Sequence, residues 1–111
     1  MLFKEKHVKM IETGDKTQTR RLWRRPQVKI GGRYPIKTYL YATLGDPRHH
    51  GFIRVTGMRV ERLGAISPAD ARREGYGSVR QFRAAFAEIH GSFWEDARVF
   101  VVDFEYDGRK P

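Results

Sequence analysis

The sequence contains no cysteine. That excludes disulfides and thiolate zinc sites, and it fits a reducing compartment. No apolar run approaches the roughly 18 residues of a membrane-spanning helix. The opening Met1-Leu2-Phe3-Lys4-Glu5-Lys6 lacks an apolar signal core, which argues against secretion. These absences predict a cytoplasmic protein with no membrane partner. There is no Gly-rich phosphate loop of the Walker type and no serine nucleophile elbow. The adjacent His49 and His50 belong to no set of residues at ligand spacing. Neither a metal nor a cofactor is expected. Acidic residues are scarce in one part of the chain. Residues 1–60 hold 4 of the 13 Asp and Glu but 14 of the 22 Lys and Arg, so the net charge of +9 is concentrated there. A basic half implies a polyanionic partner, because Lys and Arg displace counterions from phosphates.

What is present is enough for one domain, expected to span residues 1–111. The chain is 40% hydrophobic and 13% aromatic, so it can bury one core without covalent staples. The most informative run is Gly14-Asp15-Lys16-Thr17-Gln18-Thr19-Arg20-Arg21-Leu22-Trp23-Arg24-Arg25-Pro26. It interleaves one Lys and four Arg with two Thr and one Trp, between a Gly and a Pro. Cations mixed with hydroxyls and an aromatic ring are a composition that suits a nucleotide or nucleic acid. Trp23, set between charges, reads first as cover for a core edge, with base stacking the alternative.

The hydrophobic pattern divides the rest. Phe3, His7, Met10 and Ile11 share a helical face, predicting a helix over 3–13 that Gly14 ends. Thr17 to Leu22 reads as a strand. If Lys16 belonged to it, Lys16 and Thr19 would point to opposite faces, so they can cooperate only if Lys16 lies in the turn before it. Residues 34–42 read as a strand, with Ile36, Thr38 and Leu40 on one face and Lys37, Tyr39 and Tyr41 on the other. A long strand over 52–63 changes phase at Gly57, from Ile53 and Val55 to Met58 and Val60, which predicts a β-bulge. Ser67-Pro68-Ala69-Asp70 starts a short helix that stops by Gly75. Ser78-Val79-Arg80-Gln81 starts another, with Val79, Phe82, Phe86 and Ile89 in one stripe and an end at His90-Gly91. Residues 97–106 form the last strand, apolar enough to be central. Strands and helices do not alternate regularly, so the class is α+β, and the bulge favours a small, partly closed barrel with flanking helices.

The order of these stretches resembles the ASCH domain, a member of the PUA-like group. Gly14 to Arg21 is similar to its signature and Val28-Lys29-Ile30-Gly31 to the turn before a strand. Glu74-Gly75-Tyr76-Gly77-Ser78 with the Phe82 helix resembles its helical insertion. Trp94 and Val99 to Phe104 resemble its closing strand. The resemblance covers nearly the whole chain. It implies a PUA-like mixed β-barrel with a cleft beside the lysine motif, and RNA as a partner. Some small members act as amidohydrolases on N4-acetylcytidine through a Lys, a Thr and a Glu. The matching positions are Lys16, Thr19 and Glu74, with Thr17 and Arg21 completing the Lys-Thr-x-Thr-x-Arg pattern. The broader family carries Glu where Thr19 stands, so this chain sides with the hydrolase-like version.

Each residue has a chemical requirement attached. Lys16 can act as nucleophile or base if burial or the neighbouring Arg20 and Arg21 lower its pKa; kept charged, it is a phosphate clamp. Thr19 can exchange a proton with Lys16 or hold an oxyanion. Glu74 can act as general acid or base toward the leaving amine. Arg21 can orient a phosphate or a base carbonyl. Arg20, Arg24 and Arg25 add cations that suit a ligand larger than a nucleoside. Two expectations follow. One is a metal-independent amidohydrolase of an N-acylated nucleoside. The other is a binding module that grips RNA through Lys16, Thr17, Arg20, Arg21, Arg24 and Arg25 without turnover, with a nuclease as a weaker third.

Overall fold

A computed structural model describes residues 1–43 and 45–111, apart from the Leu40 side chain. Among the described residues three helices flank one antiparallel sheet: α1 Glu5–Thr13, β1 Gln18–Arg21, β2 Arg33–Pro35, β3 Phe52–Arg62, α2 Pro68–Arg73, α3 Val79–His90 and β4 Arg98–Tyr106. The strand order is β1-β4-β3-β2, which leaves β1 on an edge and β4 inside. Val99, Val101 and Val102 of β4 are buried, as its apolar run requires. The strands pair antiparallel, and a parallel bridge, Leu2 with Lys37, stands outside them.

The curl of the sheet comes from the bulge. Val55 faces Phe104 and Gly57 faces Asp103, so Thr56 is the extra residue. Such an insertion bends the strand and increases its twist. Ile53 and Val55 are buried on one side of it. The residues beyond do not turn inward as their pattern predicted. Met58 is half-buried and Val60 is exposed. They face Val102 and Phe100 on a side covered chiefly by Trp23 and Val28.

The helices cover the sheet from two directions. α1 begins at Glu5 rather than at residue 3, because Phe3 is extended and donates its N–H to Lys37 O. His7 and Ile11 form the inward stripe of the helix, and Phe3 and Ile11 pack with Ile36, Ile53 and Phe104. Phe82 and Phe86 of α3 pack on Leu63, Ala71, Val99 and Val101. Ile89, the last member of the α3 stripe, is exposed. Ser67 and Ser78 cap their helices by accepting from the backbone N–H of Asp70 and Gln81, both at 3.1 Å.

The strand expected over 34–42 is much shorter. Pairing with β3 stops at Pro35, which has no N–H to give. Ile36 then exchanges bonds with Gly51 and His50, and Lys37 donates to Met1 O at 2.8 Å. Residues Tyr39–Tyr41 wind into a 3-10 turn. Ile36 and Thr38 are buried. Their alternation therefore reflects extended backbone between two partners, not a long strand. The placement of the Leu40 side chain lies outside the described residues.

Candidate functional site

Two glycines bring distant segments together. Gly14 ends α1 at φ 82°, in the left-handed region. The N–H groups of Asp15 and Lys16 then both donate to Met10 O, at 2.8 and 3.0 Å. That fold-back sets Lys16 before β1 begins, as its cooperation with Thr19 required. Gly75 follows the end of α2 at φ 98°, and a Cβ there would stand 3.1 Å from Met10 Cε and 3.7 Å from Lys16 Cβ. Its missing side chain lets the end of α2 close on the turn after α1. Thr17 N donates to Arg73 O at 2.8 Å and locks the contact.

The result is a buried ion pair between residues 58 apart in sequence. Lys16 Nζ donates to Glu74 Oε1 at 3.1 Å, to Glu74 O at 2.7 Å and to Gln18 O at 2.9 Å. Both side chains are almost fully buried, at 2% and 5% exposure. Burial pulls the Lys16 pKa below its ordinary value, the charge and hydrogen bond of Glu74 oppose that, and Arg21 and Arg20 add to the lowering. The other oxygen of Glu74 accepts from Arg20 NH1 at 3.2 Å. One carboxylate thus holds a different cation on each oxygen.

These groups open onto a cavity of about 350 Å³, which lies along the free edge of β1 between α1 and α3. Lys16, Thr19, Arg20, Arg21 and Glu74 all line it. Thr19 Oγ1 accepts from Arg21 Nε at 3.1 Å. Arg21 is itself fixed by Leu2 O at 2.7 Å and by the Phe3 ring 4.9 Å below its guanidinium. The far wall is apolar, built from Phe82, Phe86 and Ile89 of α3.

Four of the residues expected at the site stand elsewhere or do something else. Arg20 does not join a basic surface, because its side chain has no exposure and its charge is met by Glu61, Asp70 and Glu74. Arg24 and Arg25 are exposed and line a separate, more open hollow with Trp23 and Gln27. Trp23 packs on Phe100 at 6.2 Å between ring centroids. Thr17 contributes backbone contacts to Arg73 and Phe104.

Sequence reasoning missed His7, Tyr76, Tyr39 and His90, all of which line the cavity. His7 meets the Tyr76 ring edge-on at 5.5 Å. Burial, then the charges of Lys16, Lys6, Lys4 and Arg21, pulls the His7 pKa down to about 3, so it is neutral at pH 7. Burial and the charges of Glu74 and Glu88 push the Tyr76 hydroxyl up to about 12. The signal for His7 was its place on the inward stripe of α1. Among the described residues no cluster of three or more His, Asp or Glu has a geometry that holds a metal ion.

No protein-family model and no curated protein matches the sequence. Solved structures do match. An ASCH domain from Lactobacillus crispatus JV V101 superposes with a TM-score of 0.72 at 16% identity, over 89% of this chain and 69% of that one. The hypothetical protein PH0355 gives 0.66 at 19% identity, over 96% of both chains. ASCH from Zymomonas mobilis gives 0.62 at 22% identity, over 98% of this chain and 66% of that one. The curled antiparallel sheet, its three helices and these superpositions give the chain the ASCH, PUA-like fold.

Proposed function

We propose that the protein is a metal-independent amidohydrolase of an N-acylated nucleoside, with N4-acetylcytidine as the reference substrate. The observation that carries this reading is the buried contact of 3.1 Å between Lys16 Nζ and Glu74 Oε1 in a cavity that Thr19 also lines. The volume of about 350 Å³ falls in the range of small-molecule sites. A clamp for phosphate needs a free ammonium, whereas this one is spent on three acceptors of its own chain.

The pair shares one proton. Transfer from Lys16 to Glu74 turns the ion pair into a neutral amine and a carboxylic acid. Burial favours that form, since it disfavours separated charge. The amine takes the proton of the Thr19 hydroxyl while Oγ1 bonds to the acyl carbon and the carbonyl becomes an oxyanion. Arg21, hydrogen-bonded to Oγ1, lowers the cost of that deprotonation. The oxyanion collapses, the carbon–nitrogen bond breaks and Glu74 gives its proton to the leaving amine. Water then attacks the acyl-threonine and passes a proton to Glu74. Lys16 returns its proton to Oγ1 as acetic acid leaves, which regenerates the neutral amine and the carboxylic acid, and Glu74 passes its proton back to Lys16 to restore the ion pair.

The test is incubation with N4-acetylcytidine and chromatography of the products. Wild type releases cytidine and acetate. Lys16→Ala and Thr19→Val lose about 100-fold or more, the scale of general-base and nucleophile removal. Wild type no faster than both variants rejects the proposal. A second reading rests on the exposed Arg24 and Arg25 and the net charge of +9. There the chain binds RNA along this rim without turnover, and affinity falls steeply with salt.

A further inference from the structure

One buried polar side chain of the cavity has no task in the proposed reaction. Lys16, Thr19, Arg20 and Glu74 line the cavity, are buried, and each holds a hydrogen bond within the protein. His7 lines it too, at 6% exposure, and its ring holds no hydrogen bond among the described residues. Its nitrogens are not walled in. Among the described residues, the one side-chain nitrogen or oxygen that is both sealed from solvent and unpartnered is Arg20 Nε. The ring nitrogens of His7 therefore keep accessible surface, and the cavity is where so buried a residue meets open space. Native proteins leave few buried polar groups unsatisfied, and each calls for a reason.

The fold sets His7 beside the reacting pair. Glu74, Gly75 and Tyr76 follow the end of α2, and each meets a residue of α1 or of the turn after it. Lys16 bonds to Glu74 at 3.1 Å, Met10 packs on Gly75, and His7 meets the Tyr76 ring edge-on at 5.5 Å. His7 and Met10 stand one turn apart on the same face of α1. Tyr76 is anchored in turn, by its N–H to Ala71 O at 2.9 Å and by the edge-on Phe82 ring at 5.8 Å. The imidazole is thus packed in place before any ligand arrives.

The charges around it decide what it offers. Burial and the cations Lys16, Lys6, Lys4 and Arg21 keep it neutral at pH 7. A neutral imidazole carries one N–H and one lone pair. The unpartnered cationic groups of the lining, Lys4 Nζ and Arg21 NH1, are donors and suit the carbonyl oxygens of a ligand. An acylated exocyclic amine also brings a donor of its own, the N–H of the scissile amide. We propose that the lone-pair nitrogen of His7 accepts this N–H, which makes His7 a substrate-binding residue that restricts the reaction to secondary amides, the acylated form of a primary exocyclic amine. The proposal rests on the amidohydrolase reading. No proton moves in this contact: the N–H stays on the substrate and His7 keeps its own. The amide nitrogen is left with its lone pair free for the proton that Glu74 gives.

The kinetic test compares N4-acetylcytidine with its N4-methyl derivative, a tertiary amide. Wild type should prefer the first in kcat/KM. His7→Phe fills the same space without a lone pair, so that preference should shrink by about tenfold, the scale of one buried donor left without an acceptor. His7→Gln returns an acceptor and should recover part of it. A preference kept in full by His7→Phe means that the walls exclude the methyl group, and it overturns the proposal. A binding arm needs no turnover. The ring ¹⁵N resonances of His7, identified by their loss in His7→Gln, are followed as cytidine or N4,N4-dimethylcytidine is added. Cytidine, with an N–H at the same position, should shift the lone-pair nitrogen, and dimethylcytidine should leave it in place. No shift with cytidine, or the same shift with both, overturns the assignment. Failure of wild type to release cytidine from N4-acetylcytidine rejects the amidohydrolase reading instead, and the binding arm then decides the role of His7.

Discussion

At the scale of the residue, the site is set by how few of its charges reach water. Lys16, Arg20 and Glu74 are each nine-tenths buried or more, and each is held by a partner of opposite sign. Breaking a buried pair from one side leaves the other charge uncompensated, at a cost of about 3–5 kcal/mol. Lys16→Met is expected to lose about that much in urea denaturation, and Lys16→Met with Glu74→Gln less than the sum of the two single changes. His7 gives a pH test. Its folded pKa of about 3 lies below the ordinary value of 6.5, so the unfolded chain binds the extra proton in that window. Stability should fall as pH drops below 6.5, by about 1.4 kcal/mol per unit, until protonation of the folded state ends the loss. Denaturation at pH 7 and pH 5 should therefore differ by about 2 kcal/mol more in wild type than in His7→Phe.

At the scale of the element, the legible features were those that one segment decides alone. The break in period at Gly57, the serine caps at 67 and 78, and the placement of Lys16 after Gly14 all follow from local chemistry. Features that need a second segment were not legible. The stretch after Pro35 alternates like a strand because Met1, His50 and Gly51 bind it from two sides. Arg20 reads as one more solvated cation until Glu61, Asp70 and Glu74 converge on it. His7 reads as one more member of the inward stripe of the first helix until Tyr76 is set against it at the cavity. The geometry of the pair depends on how closely α2 approaches α1, and that distance runs through Gly75. Gly75→Ala adds backbone strain at φ 98° and a tight contact with Met10, whereas a Cβ at Gly14, φ 82°, meets nothing within 4 Å. The strain alone is worth about 1–2 kcal/mol. Gly75→Ala should thus lower stability more than Gly14→Ala in thermal melts, and it should also slow N4-acetylcytidine hydrolysis.

At the scale of the whole molecule, two properties separate in space. At the cavity Lys16 and Arg20 are both paired with Glu74, and Lys4 and Arg21 add positive charge to its lining, while the exposed Arg24 and Arg25 stand on a different hollow. Single-strand RNA binding, where it occurs, should run through that rim. Replacing both arginines by alanine should then reduce the slope of log affinity against log salt by about 1.4, the value for two lost phosphate contacts. The proposed hydrolysis depends instead on the cavity, and its most exposed commitment is the carboxyl group of Glu74. Glu74→Gln keeps the shape of the side chain and removes its proton chemistry. The rates of cytidine release from N4-acetylcytidine, measured side by side, should differ by about 100-fold or more in favour of wild type. Equal rates for the two proteins would contradict the assignment of Lys16 and Glu74 as the reactive pair.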